Sequence, residues 1–113
     1  MTREAIRAFC LGLPHVTERF QIHHLGFQIG GKTFAMLNLE VAGMPLSFKC
    51  TVEDYNELVE REGVIPAPYM ARNKWVSITE WDSLPAAELK ECLRRSREAV
   101  RLKLPKKAQA QLA

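Results

Sequence analysis

Two runs of alternating apolar residues meet at a glycine pair, and that junction restricts the chain to folds containing an antiparallel hairpin. Leu25, Phe27 and Ile29 alternate with Gly26 and Gln28, the two-residue period of a strand with one buried face. Gly30-Gly31 then supplies the positive φ angles of a tight turn, and residues 32–39 return as a second strand. The centre of that strand, Phe34-Ala35-Met36-Leu37, is apolar on both faces, which predicts cover on both sides. Ala42-Gly43 predicts the next turn, after which Leu46, Phe48 and Cys50 alternate with Ser47 and Lys49. The central chain therefore reads as an antiparallel meander.

Helical patterning flanks it. Ile6, Phe9, Cys10 and Leu13 recur at helical spacing behind Thr2, an N-cap, and Gly12 with Pro14 ends the helix near Leu11. Residues 15–24 read as an irregular connection. A second helix opens at Thr51 with Asp54 as its capping-box partner. Val52, Tyr55, Leu58 and Val59 form its apolar stripe, and Gly63 stops it. Val64-Ile65 leads into the loop 66–74, and residues 75–81 form another strand, with Val76 and Ile78 on one face and Trp75, Ser77 and Thr79 on the other. Ser83 and Pro85 mark the start of the longest helix, reaching about Lys103 with Leu89, Leu93, Ser96 and Val100 as its core stripe. Pro105 stops it, and 106–113 reads as a flexible tail. The expected fold class is α+β, one domain spanning 1–113, with an antiparallel sheet carrying helices on one face.

Charge is unevenly placed. The formal net charge is +3, but residues 1–89 carry 8 Lys+Arg against 11 Asp+Glu, whereas 90–113 carry 8 against 2. The basicity belongs to one segment, which matters for partners. No apolar run approaches the ~18 residues a membrane span needs, and Met1-Thr2-Arg3-Glu4 opens no signal peptide. No membrane association and a cytoplasmic location are expected. Cys10, Cys50 and Cys92 are odd in number and widely spaced, so reduced thiols are expected rather than disulfides or a zinc site.

Catalytic chemistry finds no foothold. Ser47, Ser77, Ser83 and Ser96 lack a nucleophile elbow or a recognisable base, and Gly30-Gly31-Lys32 lacks the framework of a phosphate loop. His15, His23 and His24 have no ligand partners at metal-binding spacing. We expect no enzyme, no metal and no cofactor.

Two features carry binding chemistry. Lys90, Arg94, Arg97 and Arg101 are spaced by four, three and four residues, which at about 100° per residue confines them to a stripe of about 80°. Aligned guanidinium groups suit a phosphate backbone, because counterion release favours binding; equally, cations favour the negative C-terminal end of a solvated helix. The loop between Pro66 and Trp75 is the other feature. Tyr69 and Trp75 offer aromatic faces, with Arg72 and Lys74 beside them, a combination suited to an unstacked base or a planar ligand. The same aromatics would serve as well to cap the edge of the core.

In this order the segments resemble the MmcQ/YjbR family of small, mostly bacterial proteins. Leu13-Pro14-His15-Val16-Thr17-Glu18, Gly30-Gly31-Lys32-Thr33-Phe34-Ala35 and Phe48-Lys49-Cys50 carry the first half of the resemblance. Val64-Ile65-Pro66-Ala67-Pro68-Tyr69-Met70, Lys74-Trp75-Val76, Leu84-Pro85 and Leu104-Pro105-Lys106-Lys107 carry the rest. The resemblance implies a CyaY-like fold, as in bacterial frataxin, and a DNA-binding role. Iron handling does not carry over, since the first helix holds the acid Glu4 against Arg3 and Arg7 rather than an acidic ridge.

The expected function is a non-enzymatic module that binds DNA. Lys90, Arg94, Arg97 and Arg101 would supply phosphate contacts, joined by Arg72, Lys74 and Lys32. The alternative is a small-ligand or protein-interaction domain using Tyr69 and Trp75, with no nucleic-acid role.

Overall fold

The computed structural model describes residues 1–39, 44–68 and 70–113. The expected turn at Ala42-Gly43 and the side chain of Tyr69 lie outside the described residues.

The chain forms α1 (Arg3–Gly12), β1 (Thr17–Gln21), β2 (His24–Ile29), β3 (Lys32–Asn38), β4 (Leu46–Lys49) and α2 (Val52–Leu58). Then follow β5 (Val64–Pro66), a 3-10 turn (Ala71–Asn73), β6 (Trp75–Ile78), α3 (Ala86–Arg101) and α4 (Lys106–Gln111). The strands make a fully antiparallel sheet in the order β1-β2-β3-β4-β6-β5. Helix α3 packs along β2, β3 and β4, with α2 against β6. This is an α+β fold with helices laid on an antiparallel sheet.

Local chemistry explains the elements. Thr2 Oγ1 accepts from the Ala5 amide at 3.1 Å and Thr51 Oγ1 from the Asp54 amide at 3.1 Å, each satisfying an orphan donor of the helix start. The capping box is only half made, because the Asp54 carboxylate accepts from Arg95 Nη1 at 2.8 Å. Ser83 does not cap α3; its Oγ accepts the Glu80 amide and closes the preceding turn, leaving Pro85 at the cap position.

The α3 stripe of Leu89, Leu93, Ser96 and Val100 is buried as its spacing requires, and meets Phe27, Phe34, Leu37 and Phe48 in one core. Each fully buried side chain of this size stabilises the fold by about 1.5–3 kcal/mol. Val52, expected on the buried stripe of α2, is exposed at the first turn of that helix.

The glycine pair behaves as its position demands. Gly30 and Gly31 have φ of 57° and 80°, in the left-handed region. A Cβ on Gly30 would lie 2.7 Å from Leu104 Cδ1 and 3.1 Å from Leu112 Cδ1. Gly30→Ala is therefore expected to cost about 2 kcal/mol, from left-handed strain plus displacement of those leucines. Urea unfolding measures this, and an unchanged midpoint would show that the turn relaxes freely.

Two expectations are corrected. Residues 17–21 are a strand, not an irregular connection. Every residue of β1 is exposed, so no apolar alternation marks it; backbone pairing with β2 and the Arg7–Glu18 ion pair at 2.7 Å hold it in place. Nor is the C-terminal segment a flexible tail. Lys106–Gln111 is helical, Leu112 packs against the core, and Gln109 Nε2 donates back to the carbonyls of Leu102 and Leu104. Pro105, in the cap position, starts this helix as much as it stops the previous one.

Candidate anion-binding cleft

Antiparallel register gathers separate lysines at one end of the sheet. Lys32 follows the Gly30-Gly31 turn at the start of β3, Lys49 ends β4, and Lys49 pairs with Trp75 at the start of β6. Lys74 immediately precedes that strand, and its carbonyl accepts the Cys50 amide at 2.8 Å. Its φ of 62° is unusual for a residue with a Cβ and turns the chain sharply at this point. Lys103 arrives from the C-terminal end of α3. Ser96 Oγ donates to the Lys49 carbonyl at 2.6 Å, tying the helix to the strand end beneath it.

These residues line two adjoining grooves. One, of about 340 Å³, is bounded by Lys32, Thr33, Lys49, Asn73, Trp75, Val100, Lys103 and Leu104. The other, of about 400 Å³, is bounded by Lys49, Cys50, Thr51, Val52, Lys74, Ala99, Leu102 and Lys103. Lys49 and Lys103 belong to both, and no carboxylate lines either groove among the described residues. Nor does any of the four lysines form an ion pair among them. Carboxylates return in the next groove along, where Glu53, Asp54 and Glu98 sit with Arg95.

Lys49 is the most constrained of the four. Its Nζ donates to the Asn73 carbonyl. Burial holds its pKa below the ordinary lysine value, reinforced by the Lys103 and Lys74 ammonium groups and opposed by Cys50. Lys74 Nζ sits 4.8 Å from the centre of the Tyr55 ring, a cation–π contact that fixes its direction. Like charges held together without carboxylates are a standing electrostatic cost, and an incoming anion relieves it.

The α3 stripe is placed differently from its sequence expectation. Arg97 is buried, with 7% exposure; Nε donates to the Pro14 carbonyl at 2.9 Å and Nη2 to the Leu112 carbonyl at 2.7 Å. Arg101 is engaged by Glu98 at 2.5 Å and by the Gln109 carbonyl at 2.6 Å. Lys90 and Arg94 lie over the Phe9 ring at 5.7 and 5.2 Å, and Arg94 also pairs with Glu91 at 3.2 Å. The four side chains thus share a helix face without forming a row of free charges.

Arg72 is exposed on the 3-10 turn, one residue from the Asn73 that lines the groove. Trp75 is 6% exposed and serves as groove wall rather than open stacking face. Sequence reasoning missed Lys49 and Lys103. The available signal was Lys49, the one charged residue on the alternating β4 run, in a position where a half-buried strand end meets a helix.

Other clefts carry less. A groove between α2 and α3, of about 330 Å³, has its arginines paired as Arg61–Glu88 and Arg95–Asp54. Among the described residues no group of His, Cys, Asp or Glu is arranged to hold a metal ion, and no helix is long and apolar enough to cross a membrane. Cys10, Cys50 and Cys92 are free thiols.

The fold and this site define a small α+β domain with a cationic cleft at one end of its sheet. The chain belongs to the YjbR family, whose model matches residues 11–99. It is similar to the crystal structure of Deinococcus radiodurans protein DR2400, described with the family-model domain DUF419. The likeness has a TM-score of 0.85 at 28% identity, covering 98% of this chain and 87% of that one. No curated protein matches the chain.

Proposed function

We propose that this is a non-enzymatic binding module that engages nucleic-acid phosphates through the lysine cleft. One observation carries the reading: Lys32, Lys49, Lys74 and Lys103 come from four separate segments and line adjoining grooves that hold no carboxylate among the described residues. Membership of the YjbR family is consistent with a non-enzymatic binding module. Arg72, exposed on the 3-10 turn beside Asn73, would add a further phosphate contact. Lys90 and Arg94 belong to a second, weaker surface on α3, and Arg97 and Arg101 serve the fold. Three free thiols suit a reducing compartment such as the cytoplasm. A CyaY-like arrangement remains part of this proposal, supported by helices laid on an antiparallel sheet; no iron role is proposed.

Phosphate contacts position a protein without reading sequence, so binding is expected to be salt-sensitive and only modestly selective. Fluorescence anisotropy with a labelled oligonucleotide at rising salt provides the measurement. Lys49→Met/Lys103→Met is expected to weaken binding by about ten-fold at low salt and to flatten the salt dependence by about two counterions. Lys90→Met/Arg94→Met is expected to do less. No binding by the native protein at low salt, or equal losses in the two variants, defeats the reading.

A further inference from the structure

We infer that the cleft takes single-stranded nucleic acid, with one unpaired base lodged in the groove beside Trp75 and its flanking phosphates on the lysines. The inference rests on the phosphate-binding reading above and names the form of the partner. The groove bounded by Lys32, Lys49 and Lys103 is not uniformly polar: Trp75, Val100 and Leu104 also line it. Cations at the rim and an apolar wall inside suit a ligand that is anionic and apolar within a few ångströms.

A duplex does not present that combination. Its phosphates face outward while the flat faces of its bases are stacked against one another inside, so a groove wall gains nothing from them. An unpaired nucleotide exposes a flat, weakly polar base on the same unit that carries the phosphate. The groove volume of about 340 Å³ falls within the range of about 300–1,000 Å³ for small-molecule sites, as one nucleotide requires. Lys49 and Lys103 also line the adjoining groove, which Lys74 lines as well. Successive phosphates can therefore pass from one groove to the next while a single base is held between amines. An acidic peptide would match the charge as well, but its carboxylates are not built onto a flat apolar body that would meet Trp75, Val100 and Leu104.

The test compares three labelled oligonucleotides of about 12 units with the native 113-residue chain: a single strand, the same sequence as a duplex, and an abasic single strand of equal phosphate count. Anisotropy at one low and one moderate salt concentration is the readout. The single strand is expected to bind about five-fold tighter than the duplex, the low end of what one base contact contributes because Trp75 is a largely covered wall, and the abasic strand to lose that advantage. Lys49→Met/Lys103→Met should weaken all three. Equal affinity for single strand and duplex overturns the inference and leaves the phosphate-binding reading standing. A single-strand preference that survives in the abasic strand also overturns it, because backbone flexibility then explains the difference. Failure of all three to bind removes both readings.

Discussion

Arg97→Ala is expected to destabilise the domain by about 3 kcal/mol, enough to lower its melting temperature by about 10–15 °C. The guanidinium is buried and donates to the carbonyls of Pro14, just beyond α1, and Leu112, at the end of α4. Hydrogen bonds from a charged donor contribute about 1.5–3 kcal/mol each, and removing the donor leaves buried acceptors to be desolvated without a partner. Against this stands the cost of burying the charge. Burial lowers the pKa of Arg97, as does Arg101, with Glu98 opposing them. The carbonyl bonds win, because guanidinium stays charged inside proteins and an alanine would recover nothing from the vacated volume. Arg97→Met keeps the stem and should cost less than alanine. Arg97→Lys should fall between the two, since one ammonium cannot span both carbonyls in fork geometry. Hydrogen exchange gives a second, local readout: amides of α4 should lose protection in all three variants. A melting shift below about 3 °C for Arg97→Ala would show that α4 docks through Leu104 and Leu112 alone.

Arg97 also shows where sequence reading reached its limit. Helical spacing placed Lys90, Arg94, Arg97 and Arg101 on one face correctly, but a stripe says nothing about what covers its edge. Here the cover is the end of α1 and the segment after Pro105, whose attachment depends on two leucines and a few carbonyls. Neither is a periodic signal. The meander was legible because Leu25, Phe27, Ile29, Leu46 and Phe48 alternate, and Gly30-Gly31 supplies the positive φ angles that a tight hairpin turn needs. The strand β1 was not, because Thr17-Glu18-Arg19-Phe20-Gln21 is solvated on both faces and owes its form to backbone pairing with β2. The cleft was half legible for a related reason. Lys32 and Lys74 stood out beside a turn and an aromatic, whereas Lys49 and Lys103 meet them only through strand register and the reach of α3.

Raising the pH from 9 to 10 is expected to cost the fold about 2–3 kcal/mol through its thiols. Burial pushes Cys10 and Cys50 up to about 12 and Cys92 to about 11, from an ordinary value of 9.0. Burial is the leading cause for all three; at Cys50 the Cys92 and Asp54 charges add to it, and at Cys92 those of Glu88 and Asp54. Below about pH 8, a unit under the ordinary value, both the folded and unfolded chains keep these protons, so the thiols add almost no pH dependence there. Between that point and the folded-state values, the unfolded chain ionises while the native chain does not. The unfolded state then holds fewer protons, and stability falls by up to about 1.4 kcal/mol per pH unit for each thiol. The loss is complete once the folded-state thiols ionise in turn. Urea midpoints at pH 8, 9 and 10 under reducing conditions measure the slope. Cys10→Ala/Cys50→Ala isolates it, since that variant keeps every other ionisable group. Its absolute stability should be lower, because each substitution leaves a small cavity, but its decline with pH should be markedly shallower. Parallel declines in the native and variant proteins would show that the buried sulfurs do not carry the alkaline loss; the cleft amines would not account for it, since loss of their charge relieves repulsion and raises stability.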